Sequence, residues 1–339
     1  MIREAIGKVV DGGDLTREEA AAVMEEIMTG QATPAQFGAL VTGLRLKGET
    51  VAEIAGFATT MRRFASPVAP LRPVVDTCGT GGGSLTFNIS TTAALVAAGA
   101  GASVAKHGNR SMTSQSGSAD VLEALGVNLN LTPAQVTTCI EEAGFGFMFA
   151  PLFHPAMKFA AGPRREIGIR TVFNILGPLT NPAGAHAQVI GVAARPLVER
   201  MAEALALLGT HHALIVHGDD GVDEISICAP TQVAEVRDGQ VRSYKIEPET
   251  FGFRRASPDE VRGADAQTNA EITRAILAGE SGARRSVVLL NAAAALVAGG
   301  LAPTFDDGVD RAARAIDSGA AAETLRRLVE VSRRYAVAG

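Results

Sequence analysis

The sequence has no tryptophan and only two tyrosines among its 339 residues, so it is short of the aromatic side chains on which single-stranded nucleic acids stack. Acidic residues outnumber basic residues by 36 to 31, and the net charge of −5 argues against a general binder of nucleic acids or anionic membranes. The three cysteines, Cys78, Cys139 and Cys228, lie far apart and form no C-x-x-C pair. They predict neither a zinc site nor a disulfide framework, and they are typical of the reducing cytosol.

Long hydrophobic runs are also missing. The longest, at 287–302, contains Asn291 and two glycines and is shorter than the ~20 residues that a membrane span needs, so we interpret it as a buried helix. Residues 1–5 lack the basic start and apolar core of a signal peptide. We expect a cytoplasmic protein with no membrane partner, and the hydrophobic share of 47% predicts a sizeable core.

The first 70 residues carry repeated helix-start signals. Thr16, Thr33 and Thr50 are each followed three residues later by Glu or Gln, which is the capping-box pattern. Apolar residues then recur at intervals of three and four, as on one face of a helix. The pattern predicts a small helical domain over 1–70, and the three prolines of 66–73 predict a connector after it.

From residue 73 the sequence predicts an α/β domain over 73–150 and 186–339. Short β-branched runs alternate with alanine-rich helical stretches, as in a mainly parallel sheet covered on both faces. The predicted strands are 74–76, 103–105, 188–192, 213–217 and 224–228, followed by a hairpin of 233–236 and 241–246 about Asp238-Gly239. The predicted helices are 91–99, 117–125 and 196–208, with further helix starts at Thr132 and Ser257.

Residues 151–185 interrupt this alternation. They are rich in proline, arginine and asparagine and have no strand pattern. A polar insertion between a helical unit and an α/β unit favours a substrate cleft. We assign part of this segment to the helical domain.

The stretch DTCGTGGGSLTFNIST, 76–91, places four glycines directly after a predicted strand. Glycine lets the backbone approach a ligand closely, successive free amides form an anion-binding nest, and a helix that begins near Ser90 would point its N–H groups at the same anion. The stretch therefore favours a phosphate site, with a flexible surface loop as the alternative. It is not a P-loop, because no GK[ST] follows the glycines. A G-x-G-x-x-G fingerprint is weak, because Ser84 stands where its third glycine is needed.

A second polar loop begins at Lys106, after the next predicted strand. Lys106, His107, Asn109 and Arg110 lie within five residues, and several serines follow. A large, multiply charged phosphate ligand would need a second strand–loop–helix unit of this kind. A solvated surface face is the alternative for the two cations.

Asp223 and Glu224 are adjacent carboxylates in a third candidate loop. Mg²⁺ prefers carboxylate oxygens together with substrate phosphates and retained waters. Beside two candidate phosphate loops, the pair favours a Mg²⁺ site over ordinary loop solvation.

Four motifs in this order, GTGG…TFNIST, KHGNR…SGSADVLEALG, GIRTVFNILGPLTNP and DEIS, resemble those of the anthranilate phosphoribosyltransferase family over nearly the whole chain. The resemblance implies a small helical domain plus a larger α/β domain with a mainly parallel sheet, usually as a homodimer. It implies transfer of the phosphoribosyl group of 5-phosphoribosyl-1-pyrophosphate (PRPP) to the amino group of anthranilate in tryptophan biosynthesis. Pyrophosphate would be released, and up to two Mg²⁺ ions would be bound with PRPP.

The resemblance also implies roles for individual residues. The PRPP site would comprise Gly79, Gly82, Gly83, Thr86, Asn88, Ser90, Thr91, Lys106, His107, Gly108, Asn109, Arg110, Ser111, Met112, Thr113, Ser114 and Ser118. The anthranilate site would comprise Gly79, His107, Asn109, His154, Arg164, Gly177 and Pro178. The Mg²⁺ ligands would be Ser90, Asp223 and Glu224, and the catalytic residues Lys106, Asn109 and Arg164. Arg164 would face the anthranilate carboxylate, which a planar guanidinium matches as a fork.

Two positions depart from the family pattern, which usually includes GTGGD-G-x-x-TFN. Gly83 stands in place of the Asp that normally contacts PRPP, and the loop is one residue shorter. Gln115 stands where Arg or Lys is common, which removes one positive charge near the phosphates.

The implied reaction is attack of a neutral amine on ribose C1 through an oxocarbenium-like transition state. It needs no side-chain nucleophile, so catalysis would come from positioning and electrostatics. One alternative is a pyrimidine-nucleoside phosphorylase of the same fold group, which would use inorganic phosphate and would not need the Asp-Glu pair. Another is a non-catalytic nucleic-acid-binding relative, which would need a basic face.

Overall fold

The computed structural model describes residues 1–83, 85–111 and 115–336. Three residues predicted to bind PRPP, Met112, Thr113 and Ser114, lie outside the described residues, as does Ser84.

The chain begins with the small helical domain that the sequence predicts. Its helices are α1 (Ile2–Val10), α2 (Arg17–Met28), α3 (Pro34–Lys47) and α4 (Val51–Phe64). Thr16, Thr33 and Thr50 form capping boxes at the starts of α2, α3 and α4, so these three predictions are confirmed. The capping pattern did not mark α1, because its start has no side-chain cap.

The predicted connector after α4 has no helix or strand between residues 65 and 74. It is held by the insertion 151–185: Ser66 N–H donates to Phe153 O at 2.8 Å, and Val68 N–H donates to Pro182 O at 3.0 Å.

A seven-stranded sheet forms the centre of the larger α/β domain, in the order β3-β2-β1-β4-β5-β6-β7. Its strands are β1 (Val75–Gly79), β2 (Val104–Gly108), β3 (Phe145–Phe149), β4 (Ala187–Gly191), β5 (His212–Gly218), β6 (Thr231–Arg237) and β7 (Gln240–Ile246). Strands β1 to β5 pair in parallel, and β6 and β7 pair antiparallel. The mainly parallel sheet is confirmed. So is the hairpin between β6 and β7, whose turn residues Asp238 and Gly239 have φ values of 50° and 78°.

Helices cover both faces of this sheet. The helices that follow α4 in the chain are α5 (Ile89–Gly99), α6 (Ser118–Ala124), α7 (Pro133–Ala143), α8 (Ala150–Phe153), α9 (Lys158–Ile167), α10 (Phe173–Leu176), α11 (Leu197–Leu207), α12 (Ala266–Leu277), α13 (Ala283–Ala298), α14 (Phe305–Asp317) and α15 (Ala320–Arg333). Short 3₁₀ turns occur at Pro155–Met157, Gly177–Leu179, Pro248–Phe251 and Pro258–Val261, the last at the helix start predicted from Ser257. The apolar run at 287–302 lies mostly in the buried helix α13. Among the described helices, none has the length and apolar character that a membrane crossing requires.

Apolar side chains alternate between the two faces of the sheet, as the two-residue period of a strand requires. Val189 and Leu214 pack in one cluster with α5 and α13. Ile190 and Ile215 pack in a second cluster with α11 and the four N-terminal helices. Residues of the insertion 151–185 also join this second cluster, so the insertion packs against the helical domain.

Two expectations about strands are wrong. Residues 224–228 form a loop, because side chains bond its backbone: Asn291 bonds both Ile225 N–H and Ile225 O, and Ser226 N–H donates to Thr231 Oγ1 at 2.9 Å. The sequence analysis also missed β3, which lies at the edge of the sheet and pairs only with β2 among the described strands.

Candidate active site

The carboxyl ends of parallel strands meet at one edge of an α/β sheet, where ligands of such folds bind. The glycine loop, residues 79–83, follows β1 at this edge; the loop from Asn109 follows β2, and the Asp223–Glu224 loop follows β5. The insertion 151–185 reaches the same edge, because Arg170 Nη2 donates to Thr80 O at 3.2 Å. The structure therefore brings all four sequence motifs together.

Lys106 lies on β2 and is 1% exposed. Its Nζ donates to Thr77 O and lies 3.3 Å from both Thr77 Oγ1 and Ser90 Oγ. Burial lowers the pKa of Lys106, and the negative charge of Asp76 opposes that shift. The ammonium is thus held at the first turn of α5, where the helix dipole adds positive potential.

Asp223 and Glu224 are half-buried, and the charge of Glu224 acts on this ammonium. Ser90 N–H donates to Glu224 Oε1 at 3.1 Å. Burial, with the neighbouring Asp223 charge, raises the pKa of Glu224 to about 8, and burial also raises the pKa of Asp223. Both pKa values are raised although Lys106 acts on Glu224 and Arg170 acts on Asp223, so the site favours a ligand that brings further positive charge.

The donor set around Glu224 fits Mg²⁺. Ser90 Oγ and the two carboxylates are hard oxygen donors, which Mg²⁺ prefers. No group of three or more His, Cys, Asp or Glu side chains suited to a metal occurs in the described part of the chain. The remaining ligands would therefore come from the substrate and water.

The glycine loop lies close against the acidic loop. Gly81 and Gly82 have φ values of 63° and 87°, which side chains rarely adopt. A Cβ at Gly83 would collide with the Asp223 carboxylate and would lie 2.9 Å from Asp223 N. Asp223 thus occupies the space beside position 83, where the family usually has Asp. A Cβ at Gly191, on the neighbouring strand, would collide with Asp223 O.

The structure places the remaining candidate PRPP residues around this centre. Asn88 bonds both Ser116 O and Ser116 Oγ, each at 3.1 Å, so it ties the second loop to the start of α5. Gly108 has no room for a Cβ because Ser118 Oγ lies against it. Thr86 forms an isolated bridge with Arg262. Thr91 Oγ1 is buried and has no hydrogen-bond partner among the described residues.

Arg110 is placed differently from a simple phosphate ligand. It is exposed and makes ion pairs with Asp120 at 2.9 Å and Glu123 at 2.8 Å, both on α6. Ser111 N–H also donates to Asp120 Oδ2, at 3.1 Å. In this structure α6 therefore holds the start of the second loop, and the Arg110 charge is already neutralised.

An apolar cavity of about 560 Å³ opens next to the anion site. All seven residues predicted for anthranilate line it: Gly79, His107, Asn109, His154, Arg164, Gly177 and Pro178. Met61, from the helical domain, also lines it. A cavity of this size, lined by apolar and by cationic side chains, suits an aromatic acid.

Arg164 is one of three cations that line this cavity, with Lys158 and Arg165. Its guanidinium carbon lies 5.4 Å from the centroid of the Phe173 ring, and burial lowers its pKa. Within the described residues, no carboxylate lies at ion-pair distance from it. A half-buried guanidinium without a counter-charge is suited to a carboxylate ligand.

His107 and His154 form one wall of the cavity, with ring centroids 4.9 Å apart. Burial lowers the pKa of His107 to about 3 and that of His154 to about 4, so both rings are neutral at pH 7. Both Nε2 atoms lack a hydrogen-bond partner among the described residues. They are available to a ligand.

Sequence reasoning missed four residues that support the site from behind: Asp76, Thr77 and Arg170 bond His107, Lys106 and Thr80, and Asn181 bonds Asp76. Arg170 and Asn181 lie inside the third motif. The sequence therefore marked their segment, but it did not indicate which residues they would bond. Asp76 and Thr77 lie in β1, where the strand pattern predicted packing and gave no indication of polar contacts.

Two family models match this chain. The one described as "Glycosyl transferase family, helical bundle domain" matches residues 3–65, and the one described as "Glycosyl transferase family, a/b domain" matches residues 71–322. Fold and site thus define a two-domain glycosyl transferase.

Individual relatives narrow this class. The anthranilate phosphoribosyltransferase of Chloroflexus aurantiacus is 61% identical over 335 residues, which cover 98% of this chain and 99% of the relative. The crystal structure of the Thermus thermophilus enzyme of that name is 45% identical, with a TM-score of 0.92 over 97% of this chain and 99% of that one. The Saccharomyces cerevisiae enzyme in complex with PRPP and Mg is 27% identical, with a TM-score of 0.89 over 98% of each chain. The chain belongs to the anthranilate phosphoribosyltransferase family.

Proposed function

We propose that the protein transfers the phosphoribosyl group of PRPP to the amino group of anthranilate, giving N-(5-phosphoribosyl)anthranilate and pyrophosphate. One observation carries the proposal: Ser90 lies within 3.3 Å of Lys106 Nζ and within 3.1 Å of Glu224 Oε1, next to a cavity with an uncompensated arginine. A diphosphate site and an aromatic-acid site thus share one edge of the sheet.

Lys106 and the amides of the glycine loop bind the donor's diphosphate, and the dipole at the start of α5 adds positive potential there. These groups are fixed before the substrate arrives, so they can stabilise the charge that develops on the leaving group without reorganising. The buried Thr91 hydroxyl is a further free donor at the start of α5.

Ser90, Asp223 and Glu224 would hold Mg²⁺. When bound, Mg²⁺ supplies positive charge to the departing diphosphate. The prediction of up to two ions stays a prediction.

Arg164 binds the anthranilate carboxylate, and Asn109 aims the amino group at ribose C1. The imidazoles of His107 and His154 are neutral at pH 7, because burial lowers the pKa of each ring, so the wall that they form places no positive charge beside the amine. Orientation of two bound substrates accounts for most of the rate in such a site.

The test is the loss of anthranilate fluorescence on mixing the protein with anthranilate, PRPP and Mg²⁺, with each omitted in turn. We expect fluorescence loss only in the complete mixture. A parallel reaction with thymidine and inorganic phosphate tests the nucleoside phosphorylase alternative, which the comparisons do not favour. Turnover there, with none from PRPP, would overturn the proposal.

We further propose the homodimer, the cytoplasmic location and the domain division predicted from the sequence, with part of 151–185 in the helical domain. The packing of this insertion against the N-terminal helices supports that division.

A further inference from the structure

Strands β1 and β2 separate from each other near the site. Val75 pairs with Val104, and no other residues of these two described strands are paired with each other in the ladder. On its other side, β1 pairs with β4 from Val75 to Gly79, and β2 pairs with β3 from Val104 to Gly108. The separation is therefore local to the gap between β1 and β2.

Side chains occupy the bonding positions that the ladder leaves empty. In a regular parallel register, Ala105 O and His107 N–H would both pair with Thr77. Here Ala105 O accepts from Asn181 Nδ2 at 2.9 Å, and His107 N–H donates to Asp76 Oδ1 at 3.2 Å. Thr77 O accepts from Lys106 Nζ.

Asp76 and Asn181 are joined to each other within this gap. Asn181 Nδ2 donates to Asp76 Oδ2 at 2.8 Å, and Asn181 Oδ1 accepts from Ala183 N–H at 2.8 Å. Asp76 is 0% exposed and Asn181 6% exposed. A buried carboxylate is destabilising unless its oxygens are bonded, so this arrangement needs all of its partners.

The pair connects the two halves of the site. Lys106 points to the diphosphate side, and His107, the next residue, lines the aromatic cavity. Asn181 ends the segment that supplies Gly177 and Pro178 to the same cavity. We infer that Asp76 and Asn181 are positioning residues, which bridge the gap between β1 and β2 and so fix the diphosphate site relative to the anthranilate cavity.

The inference rests on the proposed function and gives a specific kinetic signature. Neither residue lines the cavity or the acidic loop, so each substrate should still bind to a disturbed protein. Reaction requires both substrates in register, and a misplacement of about 1 Å can lower the rate about 100-fold. We expect Asp76→Asn to lower kcat about 10- to 100-fold. The KM values for PRPP and for anthranilate should change less than about threefold, because the two binding surfaces remain.

Asp76→Asn keeps the shape of the side chain but places an amide N–H group opposite Asn181 Nδ2. Asn181→Ala removes both donations and should give the same split between kcat and KM. The matched control is Glu53→Gln, since Glu53 is also 0% exposed, accepts from Leu15 N–H at 2.9 Å and pairs with Lys47, all within the helical domain. The control should lower the melting temperature but leave kcat within about threefold of wild type.

The assay is steady-state fluorescence on variants whose circular dichroism and melting show a folded protein. A kcat within threefold of wild type in either folded variant would overturn the inference. So would a rise in KM that accounts for the whole loss of kcat/KM, or failure of both variants to fold, which would make the role structural. If wild type does not consume PRPP and anthranilate, the proposed function fails first, and the two failures are thereby distinguished.

Discussion

Ser90 N–H donates to Glu224 Oε1 at 3.1 Å, although 134 positions separate the two residues along the chain. This hydrogen bond joins the first turn of α5 to the acidic loop after β5. Because Lys106 Nζ lies 3.3 Å from Ser90 Oγ, a cation, a hydroxyl and a carboxylate form one continuous group. A substitution at Lys106, Ser90 or Glu224 should therefore affect the other two residues.

The double change Asp223→Asn with Glu224→Gln should abolish most Mg²⁺-dependent turnover. It removes both candidate metal carboxylates while keeping their shape, and loss of a preorganised electrostatic group lowers kcat about 100-fold or more. Initial rates over a Mg²⁺ titration measure the effect. Asp259 and Glu260 are also adjacent and are exposed, so Asp259→Asn with Glu260→Gln is a matched control. Wild-type rates in the first double variant would remove the metal role.

Arg164→Ala should raise the KM for anthranilate by about 10-fold or more, because a charge-assisted bidentate pair is lost. The KM for PRPP should stay near wild type. The KM for anthranilate of Arg164→Lys should lie between those of wild type and Arg164→Ala, since an ammonium cannot offer a planar fork. Arg327→Ala, an exposed arginine of α15, serves as control. An unchanged KM for anthranilate in Arg164→Ala would show that the carboxylate binds elsewhere.

Arg170→Gln should raise the KM for PRPP by about 10-fold and leave the KM for anthranilate unchanged. Arg170 bonds Thr80 O, its charge acts on Asp223, and its guanidinium fills the space beside Gly82. The change removes a charged hydrogen bond to the glycine loop and one positive charge near the diphosphate. PRPP titrations at saturating anthranilate measure it. A selective effect on anthranilate would contradict this role.

The stability of the Mg²⁺-free protein should fall as pH rises from about 4.5 to about 8. Burial and Asp223 raise the pKa of Glu224 to about 8 from its ordinary 4.5, so in this range the folded state holds a proton that the unfolded state has lost. Stability therefore decreases with pH across the window. Melting temperatures between pH 5 and 8.5 should show a smaller decrease in Glu224→Gln than in wild type. Parallel pH curves for the two proteins would contradict the assignment.

Local sequence patterns predicted much of the fold because their causes are local. Thr16, Thr33 and Thr50 meet their Glu or Gln partners three residues away, and the Asp238-Gly239 turn needs only its own left-handed backbone. The loop at 224–228 was mistaken for a strand because its backbone partners, Asn291 above all, lie far along the chain.

The candidate site was predictable in composition but not in contacts. The motifs and the family resemblance supplied Lys106, Arg164 and the acidic pair, and strand order brought them to one edge. No motif predicted the ion pairs of Arg110, whose charge is neutralised by Asp120 and Glu123 on α6. The bridge between Asp76 and Asn181 depends on the separation of two strands, which is a tertiary property.

The close approach of Gly191 to the Asp223 carbonyl limits how the enzyme can be redesigned. Randomising codon 191 should return active clones with glycine alone, because any larger group would displace the acidic loop. Gly177, by contrast, has open space where a Cβ would stand and lines the aromatic cavity. Engineering toward other aromatic amines should therefore begin at position 177 and leave 191 untouched.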